Sequence, residues 1–281
     1  MLQKVQPQHA SFSAQRSRGS ARLTIKSSLV KSRIENLFQD GCARIRIPKT
    51  HTGVALEAVM INTAGGMTGG DHIDWHFETG DNTSAIITTQ ACERIYKSTG
   101  GTARTDVKIK LHNGSSFAWL PQETILFDQS RFSRDISVDM AASSKLLFVE
   151  SVVFGRAMMD ETVEEGSLQD RWQFCCDGQL FHAEHFKLSG QINEQLKQPS
   201  IANDHIAMAT LVLVSPTAEA KLAQARDLIG ECGGASHFEI AKTGKLLARV
   251  LGKDSYELRK TLIPLIALLN DGATLPKCWS L

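Results

Sequence analysis

Between about Arg22 and Leu188, apolar and polar residues alternate in short runs that break at turn residues, the period-two pattern of half-buried strands. "CARIRIP" alternates, and "SAIITTQ" is rich in β-branched residues. "DHIDWHFETG" puts Ile73, Trp75 and Phe77 on one face and His72, Asp74, His76 and Glu78 on the other. "DVKIKLHNGSSFAWLP" reads as strand, turn, strand, because Asn113-Gly114 favours the positive φ of a tight hairpin. Asp177-Gly178 is a second hairpin signal, and "KLLFVESVVFG" and "IAMATLVLVSP" continue the strand pattern. No helical period appears in this region.

The last quarter changes character. "TAEAKLAQARDLIGECGG" carries helix formers with apolar residues at Leu222, Ala225 and Leu228, then stops at two glycines. "HFEIAKTGKLLARVLG" reads as two strands. "DSYELRKTLIPLIALLN" opens with an aspartate N-cap and continues as a helix, which Pro264 is predicted to kink or to end. The pattern predicts a mostly β body with two helices near the C-terminus.

Composition narrows the function classes. The 281 residues are 42% hydrophobic and 22% charged, enough for one large domain. A net charge of +1 gives no footprint for nucleic acid, and no apolar run approaches the roughly 18–20 residues that cross a bilayer. From Met1 to Arg33 there are seven lysines or arginines and no acid before Glu35. Such a head fits both an organelle transit peptide and a solvated basic tail, and it lacks the apolar stretch of a secretory signal. Residues 1–21 are read as a flexible basic extension and residues 22–281 as a single β-rich domain. The six scattered cysteines contain no C-x-x-C pair and read as reduced thiols of a cytoplasmic protein.

"TAGGMTGGD" is the most unusual stretch, with Gly65, Gly66, Gly69 and Gly70 ahead of Asp71. A P-loop needs a lysine and a hydroxyl after its last glycine, whereas Asp71 and His72 stand there, and a carboxylate repels phosphate. The dinucleotide fingerprint fails because Gly65 and Gly66 are adjacent. Two readings remain: a sharp corner at the edge of a sheet, or a corner that also presents Asp71 at the mouth of a cavity. The face carrying His72, Asp74, His76 and Glu78 is either solvated or, with ligands converging from elsewhere, able to hold a divalent ion.

Taken together and in order, "GGMTGGD", "TTQACERIYKSTGG", "WLPQETILF", "FGRAMMDE" and "HAEHFKLSG" closely resemble the urease accessory protein D family, also called H. The nonamer from Trp119 to Phe127, with Pro121, Gln122 and Glu123 at its centre, is the strongest element, and Gly155-Arg156, "GAS" at 234–236 and "LPKCWSL" add to it. The resemblance covers residues from about 40 to 281. Met67 and Glu93 depart from the family pattern.

This resemblance implies a β-rich layered or helix-like stack with two helices, and a non-enzymatic role. It implies binding to accessory protein F, which recruits the nickel-carrying GTPase, accessory protein G. That assembly docks on apo-urease and helps build its dinickel centre, with nickel moving through an acid-lined tunnel. Matched by motif, Asp71, Glu150 and Glu184 are the candidate path residues, with transient Ni²⁺ as cargo and no tightly bound cofactor. Glu150 in "VESVVFGR" also reads as a buried acid paired with Arg156 or another base, Glu184 as a solvated residue, and Glu123 as a structural one. Tyr96 and Lys97 are candidates for a contact with urease or F. The alternative from a different class is a divalent-metal hydrolase using Asp71, His72 and His76, although no H-E-x-x-H or G-x-S-x-G motif accompanies them.

Overall fold

A computed structural model describes residues 15–29, 31–49, 55–156, 159–240 and 243–280. Strands β1 (Arg18–Ser28) and β2 (Lys31–Gly41) form an antiparallel pair. Arg18 to Ala21 therefore belong to a strand, while residues 1–14 of the basic head lie outside the described residues. Next come β3 (Ala43–Arg46) and β4 (Leu56–Asn62). From there the chain passes back and forth between two sheets.

β5 (His72–Thr79), β8 (Ala103–Leu111), β11 (Arg131–Met140) and β13 (Glu165–Cys176) lie parallel in an outer sheet of seven strands. β4, β6 (Ser84–Thr89), β9 (Ser116–Leu120) and β12 (Lys145–Phe154) lie parallel in a central sheet of ten. Each coil of chain supplies one strand to each sheet, so the strands stack as in a solenoid. Two short strands, β7 (Glu93–Ile95) and β10 (Thr124–Leu126), lie on the return segments and extend the central sheet beside the end of β12.

The Asn113-Gly114 hairpin is corrected by this topology. β8 and β9 belong to different sheets and do not pair. Their ladder bonds go instead to parallel neighbours, β5 and β11 for β8, and β6 and β12 for β9. Asn113-Gly114 is a corner between sheets, stacked on the corners before and after it: Asn82 N–H donates to the Asn113 carbonyl (2.9 Å), and Gly114 N–H donates to Ser143 Oγ (3.1 Å). The Asp177-Gly178 hairpin is present, joining β13 to β14 (Gln179–Gln191).

The chain then forms a short helix, α1 (Ile192–Leu196), that the pattern did not foretell. β15 (Ala207–Ser215), β16 (Gly233–Ile240) and β17 (Thr243–Gly252) complete the central sheet in antiparallel fashion. Helices α2 (Leu222–Ile229) and α3 (Ser255–Leu269) cover its far face. Asp254 caps α3, its Oδ1 accepting from Glu257 N–H at 2.8 Å. Pro264 does not end this helix. One backbone bond is lost there, but Leu258, Leu262, Leu265, Ile266 and Leu269 are fully buried against the sheet and hold both halves in line.

The central sheet is thus covered on both sides, which explains the nearly continuous apolar run of β12. Among the described residues no helix is long and apolar enough to cross a membrane, and the cysteines are unpaired.

Candidate functional site

Glu150 sits in the middle of β12, where a lone carboxylate in an apolar strand needs a partner. That partner is Arg134 on β11, not Arg156: the Arg134 guanidinium donates to Glu150 and to both oxygens of Asp170 on β13. Arg134 and Asp170 are direct cross-strand partners. All three are at least 94% buried at their side chains. Two indole N–H groups complete the cluster, Trp119 donating to Glu150 Oε1 (2.8 Å) and Trp172 to Asp170 Oδ1 (2.6 Å).

One cation serves two acids here, so the cluster carries a net negative charge away from water whenever both carboxyls are ionised. Burial, together with the charge of Asp170, pushes the Glu150 carboxyl up to about 7 against the pull of Arg134. Arg134 itself stays firmly cationic between its two carboxylates despite its burial.

The cluster forms the inner wall of a cleft of about 100 Å³ where β14 faces β17. Glu184 on β14 and Arg249 on β17 stand in the same cleft, with Arg249 Nη2 donating to Glu184 Oε2 at 2.5 Å. Trp172, Phe186, Ile201 and Met208 supply the apolar walls. Glu150 and Glu184 are therefore brought together, and Glu184 is paired rather than simply solvated.

Asp71 is not among the residues lining this cleft. It is 5% exposed and turned inward: Oδ1 accepts from Ser17 N–H and Oδ2 from Thr68 N–H, each at 2.8 Å. It fastens the glycine corner to the start of β1. At Gly66 the corner needs a glycine because another segment crowds it. The backbone there has φ 148°, and a Cβ would lie 2.4 Å from the Tyr96 ring.

Four of the five motifs that carried the family resemblance meet at this edge, while "HAEHFKLSG" lies on β14 of the outer sheet. Met67 bridges Ile95; Thr124 pairs with Glu93 and Val152; Leu126 pairs with Ile95 and Phe154. Gly155 N–H donates to the Leu126 carbonyl at 2.8 Å. At the surface of the stack, Tyr96 meets the Phe127 ring edge-on at 4.9 Å, and Arg156 lies over the same ring while pairing with Glu161 at 2.7 Å.

Glu123 is structural in the sense the sequence suggested, with a partner it could not name. Its carboxylate accepts two bonds from Arg259 of α3, at 2.6 and 2.7 Å. Gln122 also accepts from Arg259 and donates to the Cys278 carbonyl (2.9 Å), and Trp279 Nε1–H donates to the Leu120 carbonyl (3.0 Å). The segment around Pro121 therefore clamps the helical layer onto the central sheet. Cys92, 3.3 Å from Glu123, is pushed up to about 12 by burial and by that acid.

On the outer sheet, His72 Nε2 lies 2.7 Å from Asp106 and 3.6 Å from Asp74. Ligand atoms of these three residues fall within 4.8 Å of one another. Neither His76 nor Asp71 belongs to that group, and Arg104 already donates to both oxygens of Asp106 at 2.8 Å. The trio Asp71, His72 and His76 does not converge on a common point as a hydrolase would require.

Sequence reasoning missed Arg134, Asp170 and Arg249. The first two left a signal. Phe132, Arg134, Ile136 and Val138 share one face of β11, and Leu168, Asp170, Trp172 and Phe174 share one face of β13. A charge of opposite sign interrupts each apolar stripe.

The family model described as UreD urease accessory protein matches residues 17–280. A urease accessory protein UreD of Mesorhizobium japonicum is 47% identical over 268 residues, covering 95% of each chain. A urease accessory protein UreD 1 of Brucella ovis is 45% identical over 270 residues (96% of each), and an Agrobacterium fabrum UreD is 43% identical over 267 residues (95% of this chain, 92% of its own). With nearly its whole length matched, the chain belongs to the UreD urease accessory protein family.

Proposed function

We propose that this protein is a non-enzymatic urease maturation factor of the cytoplasm, which with accessory proteins F and G docks on apo-urease and helps pass Ni²⁺ to its active site. Family membership supports the accessory role. The observation that carries the nickel-transfer reading is the cleft holding Glu150, Asp170 and Glu184 against only two arginines. Carboxylate oxygens bind a divalent ion exchangeably, whereas a closed cage of thiolate and imidazole ligands would retain it. An excess of negative charge between low-dielectric walls also raises the local cation concentration. Asp71 then serves the same function indirectly, by holding the glycine corner and the edge built on it.

The test is urease activation in cells grown on limiting nickel, with co-purification of F and urease as the measure of assembly. Glu150→Gln and Glu184→Gln together should lower activation severalfold with assembly intact. Full activation in the double variant, or a parallel loss of assembly, would overturn the reading. Asp71→Asn should instead weaken assembly and activation together.

A further inference from the structure

We infer that Arg249 acts as a gate on the cleft: paired with Glu184 it closes the outer carboxylate to cations, and its release opens a cation site at the mouth. This inference rests on the nickel-transfer reading.

The two arginines of the cleft are held very differently. Arg134 is 5% exposed at its side chain and donates to Glu150, Asp170 and Thr124, so it has no route to solvent without breaking a buried network. The Arg249 side chain is 57% exposed, and among the described residues Glu184 is the hydrogen-bond partner of its guanidinium. An ion pair so open to water is weakly held and screened, and it exchanges readily. Glu184 itself is 14% exposed, so it faces the cleft more than the solvent.

Charge balance decides how the mouth behaves. With both arginines in place, three carboxylates face two guanidinium groups, and each of the outer pair neutralises the other. Turning Arg249 into solvent leaves Glu184 free, with Glu150 and Asp170 sharing a single cation behind it. The mouth then offers an unpaired carboxylate, backed by an interior that is net negative when Glu150 is ionised, which suits a divalent cation. An arriving ion exchanges with the guanidinium at Glu184, since both compete for the same oxygens. Arg249 thereby sets the threshold for entry without being a ligand itself, and is a positioning residue.

The experiment is a calorimetric titration of the full-length chain, fused to a soluble carrier, with Ni²⁺ alone. Arg249→Gln should bind Ni²⁺ at least tenfold more tightly than the parent. Arg249→Lys, which keeps the charge, should bind as the parent does, and its behaviour separates loss of charge from damage to the fold. Arg249→Gln combined with Glu184→Gln should lose the gain. Unchanged affinity in Arg249→Gln, or a gain that persists without Glu184, would refute the gate. Urease activation separates this failure from that of the underlying reading. If Glu184→Gln impairs activation while Arg249→Gln leaves affinity unaltered, the gate is wrong and nickel transfer stands. If Arg249→Gln tightens binding while Glu184→Gln activates urease fully, the site exists but does not serve transfer.

Discussion

Replacing Arg134 with methionine keeps most of the side-chain volume and removes the one cation of the buried cluster. Glu150 and Asp170, with side chains 3% and 6% exposed, would then face each other without a counter-charge. Removing one partner of a buried ion pair costs about 3–5 kcal/mol. The protein can limit that cost by protonating a carboxyl. Glu150, already raised to about 7 in the parent, gives up its charge at little extra cost, so the penalty at pH 7 falls on the carboxylate that stays ionised. The sign follows from the direction of the shift. In the variant the Glu150 carboxyl, raised already in the parent, sits further above its unfolded value, so the stability tied to it is fully present below about pH 4 and is lost as the pH rises. Urea unfolding of the full chain at pH 5 and pH 7 measures this. Arg134→Met should be about 3–5 kcal/mol less stable than the parent at pH 7, and less destabilised at pH 5. Adding Glu150→Gln and Asp170→Asn should restore most of the loss. A cost below about 1 kcal/mol at pH 7, or one that does not change with pH, would refute the account of the cluster as an uncompensated buried charge.

Three other outcomes are expected of the same structure. Glu123→Gln removes the charge and one of the two hydrogen bonds that Glu123 accepts from Arg259 and should cost about 3 kcal/mol, with faster protease cleavage beyond α3 as the specific sign; a purely global loss would count against the clamp. Gly66→Ala places a methyl against the Tyr96 ring at a strained φ and should cost about 1–3 kcal/mol, relieved in part by Tyr96→Ala, with thermal unfolding as the readout. His182 is buried among Trp172 and Phe174, and burial with Lys245 and Arg249 nearby lowers it to about 4. A depressed imidazole is neutral when folded and charged when unfolded between about pH 4 and 6.5, so parent stability should fall on acidification through that window. His182→Phe should flatten that part of the profile, as followed by fluorescence-detected unfolding.

The β character, the face of Ile73, Trp75 and Phe77, and the capped helix at Asp254 were legible because each rests on local periodicity or local capping. The arrangement of strands was not. Asn113-Gly114 carries the same local geometry whether the next strand returns antiparallel or crosses to another sheet, and only the partners some thirty residues away decide between them. Glu150 was legible as a buried acid, but choosing between Arg156 and Arg134 required the register of β11 against β12 across the core. Arg156 is near in sequence and lies on the surface, paired with Glu161. Asp71 drew attention through its motif, and its burial under two backbone N–H groups was beyond what a pattern of glycines can express.

The stacking of strands from successive coils bears on how the chain reaches its native state. His72 pairs with Arg104, Ala103 with Phe132, and Arg131 with Ser167, so every added layer must close a long loop onto the edge left by the one before. Such closures are entropically slow, and growth from a first formed layer is favoured over independent assembly of the parts. Until β13 turns back as β14, the advancing front is a bare parallel edge with β-branched and aromatic residues along it, a template that a second nascent molecule can occupy. Yield on refolding should therefore drop steeply with chain concentration, and co-expressed proteins that shield the front should raise it without altering the final fold.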